Sequence, residues 1–295
     1  MIEAESLEFC LFWTTLPFLV VGFIGNVMVI RIVHKTRHMH TPTNYLIANM
    51  AFSDVMSILL WPLYVFEVGI FVCKFLALTE ISIMVSSITL TVVAVEGYHA
   101  LLKPFITGLR LQQQNSRLAI ACIWIASVTV CFPEFIFKDW SETHSKCIGP
   151  WTLDMNQASK VYVIINSSLT LLQMAVMFYC YGSLIRGLYF TDNVWPETVG
   201  ERSSEKKKLV VTFILAATGF SVGYTPTVVF YTVVAAGDDG QLSSLLSVVF
   251  DFVFAFSLCL NPILYAFRSK KFQEGFKHTV LCRKPESLQN EIHLA

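Results

Sequence analysis

Long apolar stretches recur seven times along the chain. Each holds roughly 20 or more mostly apolar residues, the length that an α-helix needs to cross a bilayer. The pattern predicts seven spans, at residues 9–33, 43–66, 72–102, 117–137, 159–189, 205–234 and 242–267. In the following segment, 269–281, Phe272 and Phe276 lie four residues apart beside basic residues, which predicts an amphipathic helix on the membrane surface. The expected fold is an all-α membrane protein: a seven-helix bundle with a short cytoplasmic eighth helix.

Composition supports a membrane protein and excludes several other classes. Hydrophobic residues make up 55% of the 295 residues, and charged residues make up 14%. Soluble domains contain about 25% charged residues, so a soluble surface is not expected. The 21 basic residues balance the 21 acidic ones, so the charge gives no indication of nucleic-acid binding.

The distribution of Lys and Arg predicts the orientation, because basic loops are retained in the cytoplasm. With the N-terminus outside, 17 of the 21 basic residues fall on the cytoplasmic side. The four extracellular ones are Lys74, Lys138, Lys146 and Lys160. We therefore expect a multi-pass plasma-membrane protein with a short extracellular segment, 1–8, a seven-helix domain, 9–267, and a cytoplasmic tail, 268–295.

Ionisable residues at bilayer depth are costly, and each one is a candidate for function. Asp54, Glu80 and Asp251 lie deep in the predicted spans, and Glu96 lies near the cytoplasmic end of the third. The alternative is that such polar groups only join helices by hydrogen bonds, at about 1 kcal/mol each. For the buried amide of Asn26, the two interpretations are equally supported.

Several motifs occur in register with these spans. They are Gly25-Asn26, the segment from Leu46 to Asp54, Trp124 with Pro133, and the sequence from Asn261-Pro262 to Tyr265. Together they resemble the rhodopsin-like family of G-protein-coupled receptors, and the resemblance covers nearly the whole chain. It implies an extracellular ligand, a heterotrimeric G protein as partner, and no enzymatic activity.

The resemblance implies roles for particular residues. The activation switch would comprise Asn26, Asp54, Glu96, Gly97, Tyr98, Pro226, Asn261, Pro262 and Tyr265. Asp54 and Ser86 match the residues that hold an allosteric sodium ion in the family, and we expect no other cofactor. Cys73 and Cys147 would form a disulfide on the oxidising side of the membrane. Cys282, just after the amphipathic segment, is a candidate for palmitoylation.

The chain departs from the family at the cytoplasmic end of the third span. The family's acidic-Arg-Tyr triplet is Glu96-Gly97-Tyr98 here, so Glu96 loses its arginine partner. The acidic residue expected at the start of the sixth span is replaced by basic residues, in the run 206–208. We therefore expect the inactive state to be held less tightly than in the family.

Candidate ligand-binding residues lie in the outer half of the bundle. Counting from Cys73 places Glu80 at the position of the family's amine counterion, whereas counting from Gly97 places Thr79 there. Asp251 and the aromatic Tyr224 complete the set. Ten extracellular acids against four lysines give a net charge of −6, which favours an amine or a basic peptide. Ala255 stands where retinal attachment needs a lysine, which argues against an opsin.

Other classes of protein explain the pattern less well. No internal repeat relates the two halves, which argues against a transporter. The sequence contains neither H-E-x-x-H nor G-x-G-D, which argues against an intramembrane protease. A receptor-like protein with weak or non-standard G-protein coupling remains an alternative, supported by Gly97.

Overall fold

Eight α-helices and one β-hairpin form the described part of the chain. The computed structural model describes residues 2–64, 69–102, 111–143, 146–150, 152, 155–189, 200–236, 244–268 and 270–281. The helices are α1 (Ile2–Lys35), α2 (Pro42–Leu60), α3 (Gly69–Leu102), α4 (Ser116–Phe137), α5 (Gln157–Tyr189), α6 (Gly200–Ala236), α7 (Ser244–Arg268) and α8 (Lys270–Leu281). Strands β1 (Asp139–Ser141) and β2 (Lys146–Ile148) pair antiparallel between α4 and α5.

Six of these helices are long and apolar enough to cross a membrane. The seventh, α7, has 25 residues, and its described apolar stretch, Phe252–Tyr265, is shorter. Large apolar side chains such as Ile125 and Leu118 are about two-thirds exposed on α4, where lipid would cover them. The all-α bundle with a short eighth helix is confirmed.

Prolines and caps account for several helix boundaries. Thr41 caps α2, because its hydroxyl accepts a hydrogen bond from the main-chain N–H of Asn44. Pro42 occupies the first turn of the helix, where its missing N–H donor costs nothing. At its other end α2 stops at Leu60 and gives way to a 3₁₀ turn, Trp61–Tyr64, which contains Pro62. The α-helix therefore ends before the predicted limit of the second span at residue 66, while the candidate membrane span, Pro42–Leu63, includes part of the 3₁₀ turn.

Helix α3 lies at the centre of the bundle. It packs against α2, α4, α5 and α6. In its most apolar 18-residue stretch, 72% is buried, compared with 22% in the corresponding stretch of α4. Helix α8 packs against α1 and α7. A Cβ at Gly275 of α8 would lie 2.6 Å from Ile32 of α1, so glycine permits this close approach.

Two parts of the structure differ from the sequence-based expectation. Helix α1 begins at Ile2, so the predicted extracellular segment 1–8 continues the first helix along residues 2–8. The loop after the fourth span contains the β-hairpin, with Trp140 paired opposite Cys147. The strands have only three residues each, too few for a period-two pattern to reveal them.

Candidate functional site

A buried carboxylate joins three helices at the centre of the bundle. Asp54 of α2 is 1% exposed. One of its oxygens accepts a hydrogen bond from Ser86 of α3 at 2.8 Å, and the other accepts one from the amide of Asn261 of α7 at 2.9 Å. A buried charge must be hydrogen-bonded to be tolerated, and these donors satisfy that requirement. The structure thus brings together two of the predicted switch residues, Asp54 and Asn261, with Ser86, which was predicted as a sodium ligand.

The predicted switch residue Asn26 makes contacts other than those of Asp54. Its amide nitrogen donates to the carbonyls of Gly22, at 3.0 Å, and Leu258, at 3.4 Å, so it links α1 to α7. Among the described residues, its buried Oδ1 atom has no hydrogen-bond partner. Ser53 adds a further hydroxyl, 2.7 Å from that of Ser86. Carboxylate and hydroxyl oxygens are the ligands that hard cations prefer.

Tyr265 and Pro262 connect the centre to the cytoplasmic side. Tyr265 is fully buried, stacks on Phe272 of α8 with ring centroids 5.4 Å apart, and meets Phe213 of α6 edge-on at 6.5 Å. Pro262 interrupts the hydrogen-bond ladder of α7 where α1 approaches closely. A Cβ at Gly25 would lie 2.7 Å from the Pro262 side chain. A shift of α7 at this proline would therefore move contacts on α1, α6 and α8 together.

The cytoplasmic end of α3 contains a contact that the sequence did not predict. Glu96 has lost the family's arginine, but its carboxylate accepts a hydrogen bond from Thr43 at the start of α2, at 3.4 Å. Glu96 therefore has a partner on a different helix. Sequence analysis missed Thr43 because the two residues are 53 positions apart and no motif connects them. Tyr98 lies 6.0 Å, ring to ring, from Tyr179 of α5.

Gly97 lies where a side chain would fit. A Cβ there would meet only Leu184 of α5, at 3.7 Å, an ordinary van der Waals distance. Gly97 is partly exposed. Within the described structure, packing therefore does not require glycine at this position.

Helix α6 carries an aromatic cluster near its proline. Tyr224 is 5% exposed and lies 5.5 Å, ring to ring, from both Phe220 and Phe254 of α7. Phe220 lies four residues before Tyr224 on the same helix. Pro226 lies two residues further along, inside the helix. The cluster thus spans the α6–α7 contact at a point where α6 can bend.

The proposed ligand residues occupy different faces of the outer bundle. Thr79 is 1% exposed, and its hydroxyl has no hydrogen-bond partner among the residues described. Glu80 is buried, and its main-chain carbonyl accepts a hydrogen bond from the thiol of Cys131 of α4 at 3.6 Å. The side chain of Asp251 and the whole of Cys282 lie outside the described residues.

The extracellular hairpin is bound covalently to α3. Cys73, near the start of α3, forms a disulfide with Cys147 of β2, as predicted. Leu63, Leu76 and Trp140 pack around it. The bond fixes the hairpin over the outer end of the bundle.

Two further polar links were not predicted from the sequence. The Asn49 amide of α2 donates to Thr89 of α3 and accepts from the indole of Trp124 of α4, each at 2.9 Å. Ser87 of α3 donates to Gln173 of α5 at 2.6 Å. The paired residues lie far apart in the sequence, and no motif connects them. Both links hold other helices to α3.

Seven apolar helices, a buried carboxylate shared by three of them and a disulfide-tethered outer hairpin define a seven-transmembrane receptor. The family model described as "7 transmembrane receptor (rhodopsin family)" matches residues 25–265. The chain belongs to this family. It is a multi-pass plasma-membrane protein and a G-protein-coupled receptor, in a family of signalling receptors rather than enzymes.

Individual receptors share about a quarter of their residues with this chain, over most of its length. The substance-P receptor of Rattus norvegicus is 26% identical over 283 residues, covering 89% of this chain and 69% of that protein. The C-X-C chemokine receptor type 5 of Mus musculus is 26% identical over 293 residues, covering 90% and 76%. The KiSS-1 receptor of Mus musculus is 26% identical over 310 residues, covering 92% and 74%.

Proposed function

We propose that this receptor is activated by a basic peptide and transmits that binding to a heterotrimeric G protein. The observation that carries the proposal is the Asp54 centre, in which one carboxylate holds α2, α3 and α7 together by two hydrogen bonds. A ligand that alters the position of α7 must alter these bonds. A centre of this kind can exist in two arrangements, which a ligand can bias.

Two observations support a peptide as ligand. The similar proteins described above include a receptor for substance P and a C-X-C chemokine receptor. The extracellular side of this chain also carries a net charge of −6, which attracts cations. Glu134, one of the counted acids, is buried in an ion pair with Lys138, but removing this neutral pair leaves the net charge unchanged. An amine is the alternative ligand.

The four candidate ligand residues receive separate roles in this proposal. Glu80 would bind a cationic group on the α4–α5 side, and Thr79 would contact the ligand nearer the bundle axis. Asp251 would supply a second carboxylate from α7. Tyr224 packs against Phe254, so a ligand that disturbs this pair would act on α6 near Pro226. The ligand would then act on α3, α6 and α7 through these four residues.

The Asp54 centre also suits an allosteric sodium ion. Asp54, Ser86 and Ser53 place a carboxylate and two hydroxyl oxygens together. Among the described residues, the buried Oδ1 of Asn26 on α1 has no hydrogen-bond partner, so it would be available as a further oxygen ligand. A bound cation would supply positive charge opposite the carboxylate and would favour the arrangement in which these oxygens converge.

A second candidate function is suggested by Gly97. Without an arginine at this position, the receptor would couple to G proteins weakly or in a non-standard way. The Thr43–Glu96 hydrogen bond favours the first candidate, because it provides a contact that can still restrain α3 in the inactive state. Cys282 remains a proposed palmitoylation site that would attach the tail to the membrane.

The ligand class can be tested with probes of similar shape that differ in charge. The full chain is expressed in cells at fixed surface density and exposed to arginine-rich peptides, the same peptides with citrulline in place of arginine, and a set of amines. We expect G-protein activation by the arginine peptides only. Glu80→Gln should lower their potency about tenfold or more, since truncating one partner of a buried charge pair costs about 2–5 kcal/mol.

The exposed hairpin glutamate provides the control. Glu142→Gln removes one acid of the same surface and should change potency by less than about threefold, because exposed charge pairs contribute little. Equal activation by citrulline and arginine peptides would contradict a cationic ligand. Activation by amines alone would replace the peptide with the alternative class.

A further inference from the structure

Lys74, the residue next to the disulfide cysteine Cys73, reaches from α3 to the end of α4. Its ammonium donates to the carbonyl of Phe135 at 2.7 Å and to the carbonyl of Lys138. The last carbonyls of a helix lack partners within the helix, and a cation near them is favoured by the helix dipole. Lys74 thus caps α4 from a neighbouring helix.

Lys138 lies at the start of the hairpin and contacts Gly149 at its end. It directly precedes β1, its amide donates to the carbonyl of Glu134 at 2.9 Å, and its ammonium pairs with the Glu134 carboxylate at 3.0 Å. Both side chains of this pair are at most 4% exposed. Gly149, directly after β2, has φ +143°, and a Cβ there would lie 2.8 Å from Lys138 Cα.

Two consecutive residues of α3 therefore hold two different strands. Cys73 is bonded to Cys147 in β2, whereas Lys74 is hydrogen-bonded to the carbonyl of Lys138 at the base of β1. A single attachment leaves a hairpin free to turn about that attachment. Two attachments on separate strands fix its orientation as well as its position.

We infer that Lys74 is a positioning residue that orients the extracellular hairpin over the ligand pocket, independently of the disulfide. This role rests on the proposed function only in that the hairpin is taken to cover the site of a ligand. Ligand entry would then depend on a polar attachment that can open and close, beside a covalent one that cannot.

The inference is tested by hydrogen–deuterium exchange of the purified full chain with its disulfide intact. Lys74→Met keeps the length of the side chain and removes its donors. We expect exchange at residues 138–141 to rise about tenfold, because hydrogen bonds to charged groups are among the stronger ones in proteins. Residues 146–148, held by the disulfide, should change less, and α5 and α6 should not change.

Rescue and control variants separate positioning from general destabilisation. Lys74→Arg keeps a cation and several donors, so it should restore slow exchange at 138–141. Lys160→Met removes an extracellular lysine near the start of α5 and should exchange like the wild type. In the disulfide-free receptor (Cys73→Ala with Cys147→Ala), Lys74→Met should accelerate exchange over the whole hairpin.

The inference is overturned if Lys74→Met and wild type exchange at the same rate at 138–141, with or without the disulfide. If Lys74→Met accelerates exchange in every helix, the variant is generally destabilised and a second measurement is needed. The rates at which Lys74 and Lys160 are acylated are then compared in the wild-type receptor. A bonded Lys74 ammonium reacts several-fold more slowly than Lys160, and equal reaction rates would overturn the inference. Neither measurement needs a ligand or a G protein, so the proposed function can fail while this inference holds.

Discussion

At the scale of single residues, the central feature is a carboxylate that the bundle keeps out of water. Asp54 is 1% exposed, and each of its oxygens accepts one hydrogen bond from a different helix. Leaving a buried polar group without a partner costs about 1–3 kcal/mol, more for a charged group. A change at Asp54 must therefore affect both partners, Ser86 and Asn261.

Replacing Asp54 tests the sodium proposal directly. The purified wild-type receptor should melt at a higher temperature in sodium chloride than in choline chloride of equal ionic strength, because a ligand that binds only the folded state stabilises it. Asp54→Asn should abolish that difference, since the amide carries no charge for a cation. Glu142→Gln, in the exposed hairpin, should keep it. Equal melting temperatures of the wild type in the two salts would contradict a sodium site.

The Thr43–Glu96 contact gives a second test at this scale. Thr43→Val removes the hydroxyl that donates to Glu96 and keeps the shape of the side chain. We expect ligand-free signalling to rise about two- to tenfold, because a typical hydrogen bond contributes about 0.5–1.5 kcal/mol. Thr43→Ser keeps the hydroxyl and should signal like the wild type. Identical signalling by the Val and Ser variants would show that the bond does not restrain the inactive state.

At the scale of elements, helix contacts depend on close approach as much as on polar links. The α1–α7 contact is an example, because a Cβ at Gly25 would lie 2.7 Å from Pro262. The spans could be predicted from apolar length alone, and the motifs identified Asp54, Asn261 and the disulfide. The partners Thr43 and Gln173 could not be predicted, because they are defined by helix rotation, which one sequence does not specify. The hairpin was missed because three-residue strands carry no periodic signal.

The α1–α7 contact can be tested with two glycines. Gly25→Ala should destabilise the purified receptor by about 1–3 kcal/mol, the usual cost of overpacking, and lower its melting temperature. Gly182 of α5 is the matched control, because within the described structure a Cβ there meets nothing within 4 Å. Gly182→Ala should be neutral or stabilising, since alanine favours a helix by about 1 kcal/mol over glycine. Equal melting temperatures of the two variants would show that the close contact of Gly25 with Pro262 does not contribute to stability.

The disulfide is tested by a double-mutant cycle. Cys73→Ser and Cys147→Ser should each lower surface expression, since losing a native disulfide costs about 2–5 kcal/mol. The double variant should be no worse than either single variant, because all three lose the same bond. Cys122→Ser, at an exposed free cysteine of α4, should express like the wild type. Additive losses in the double variant would contradict a shared bond.

At the scale of the whole molecule, the seven-helix bundle follows from the hydrophobic pattern, and its orientation from the basic residues. The motifs then identify the family, whose matching region extends from residue 25 to residue 265. The state of the switch does not follow from family membership, because the arginine that the family uses is Gly97 here. Instead, the structure shows a polar contact between α2 and α3 on the cytoplasmic side.

The most direct test of the account is ligand-free G-protein activation by the full chain and two variants at equal surface density. The account predicts wild-type activity above that of untransfected cells, unchanged activity for Gly97→Ala, whose Cβ fits 3.7 Å from Leu184, and a lower level for Gly97→Arg. An added restraint of about 1.4 kcal/mol would reduce the active fraction roughly tenfold. Background-level activity in the wild type, raised by Gly97→Arg, would contradict the account and show that coupling requires the arginine.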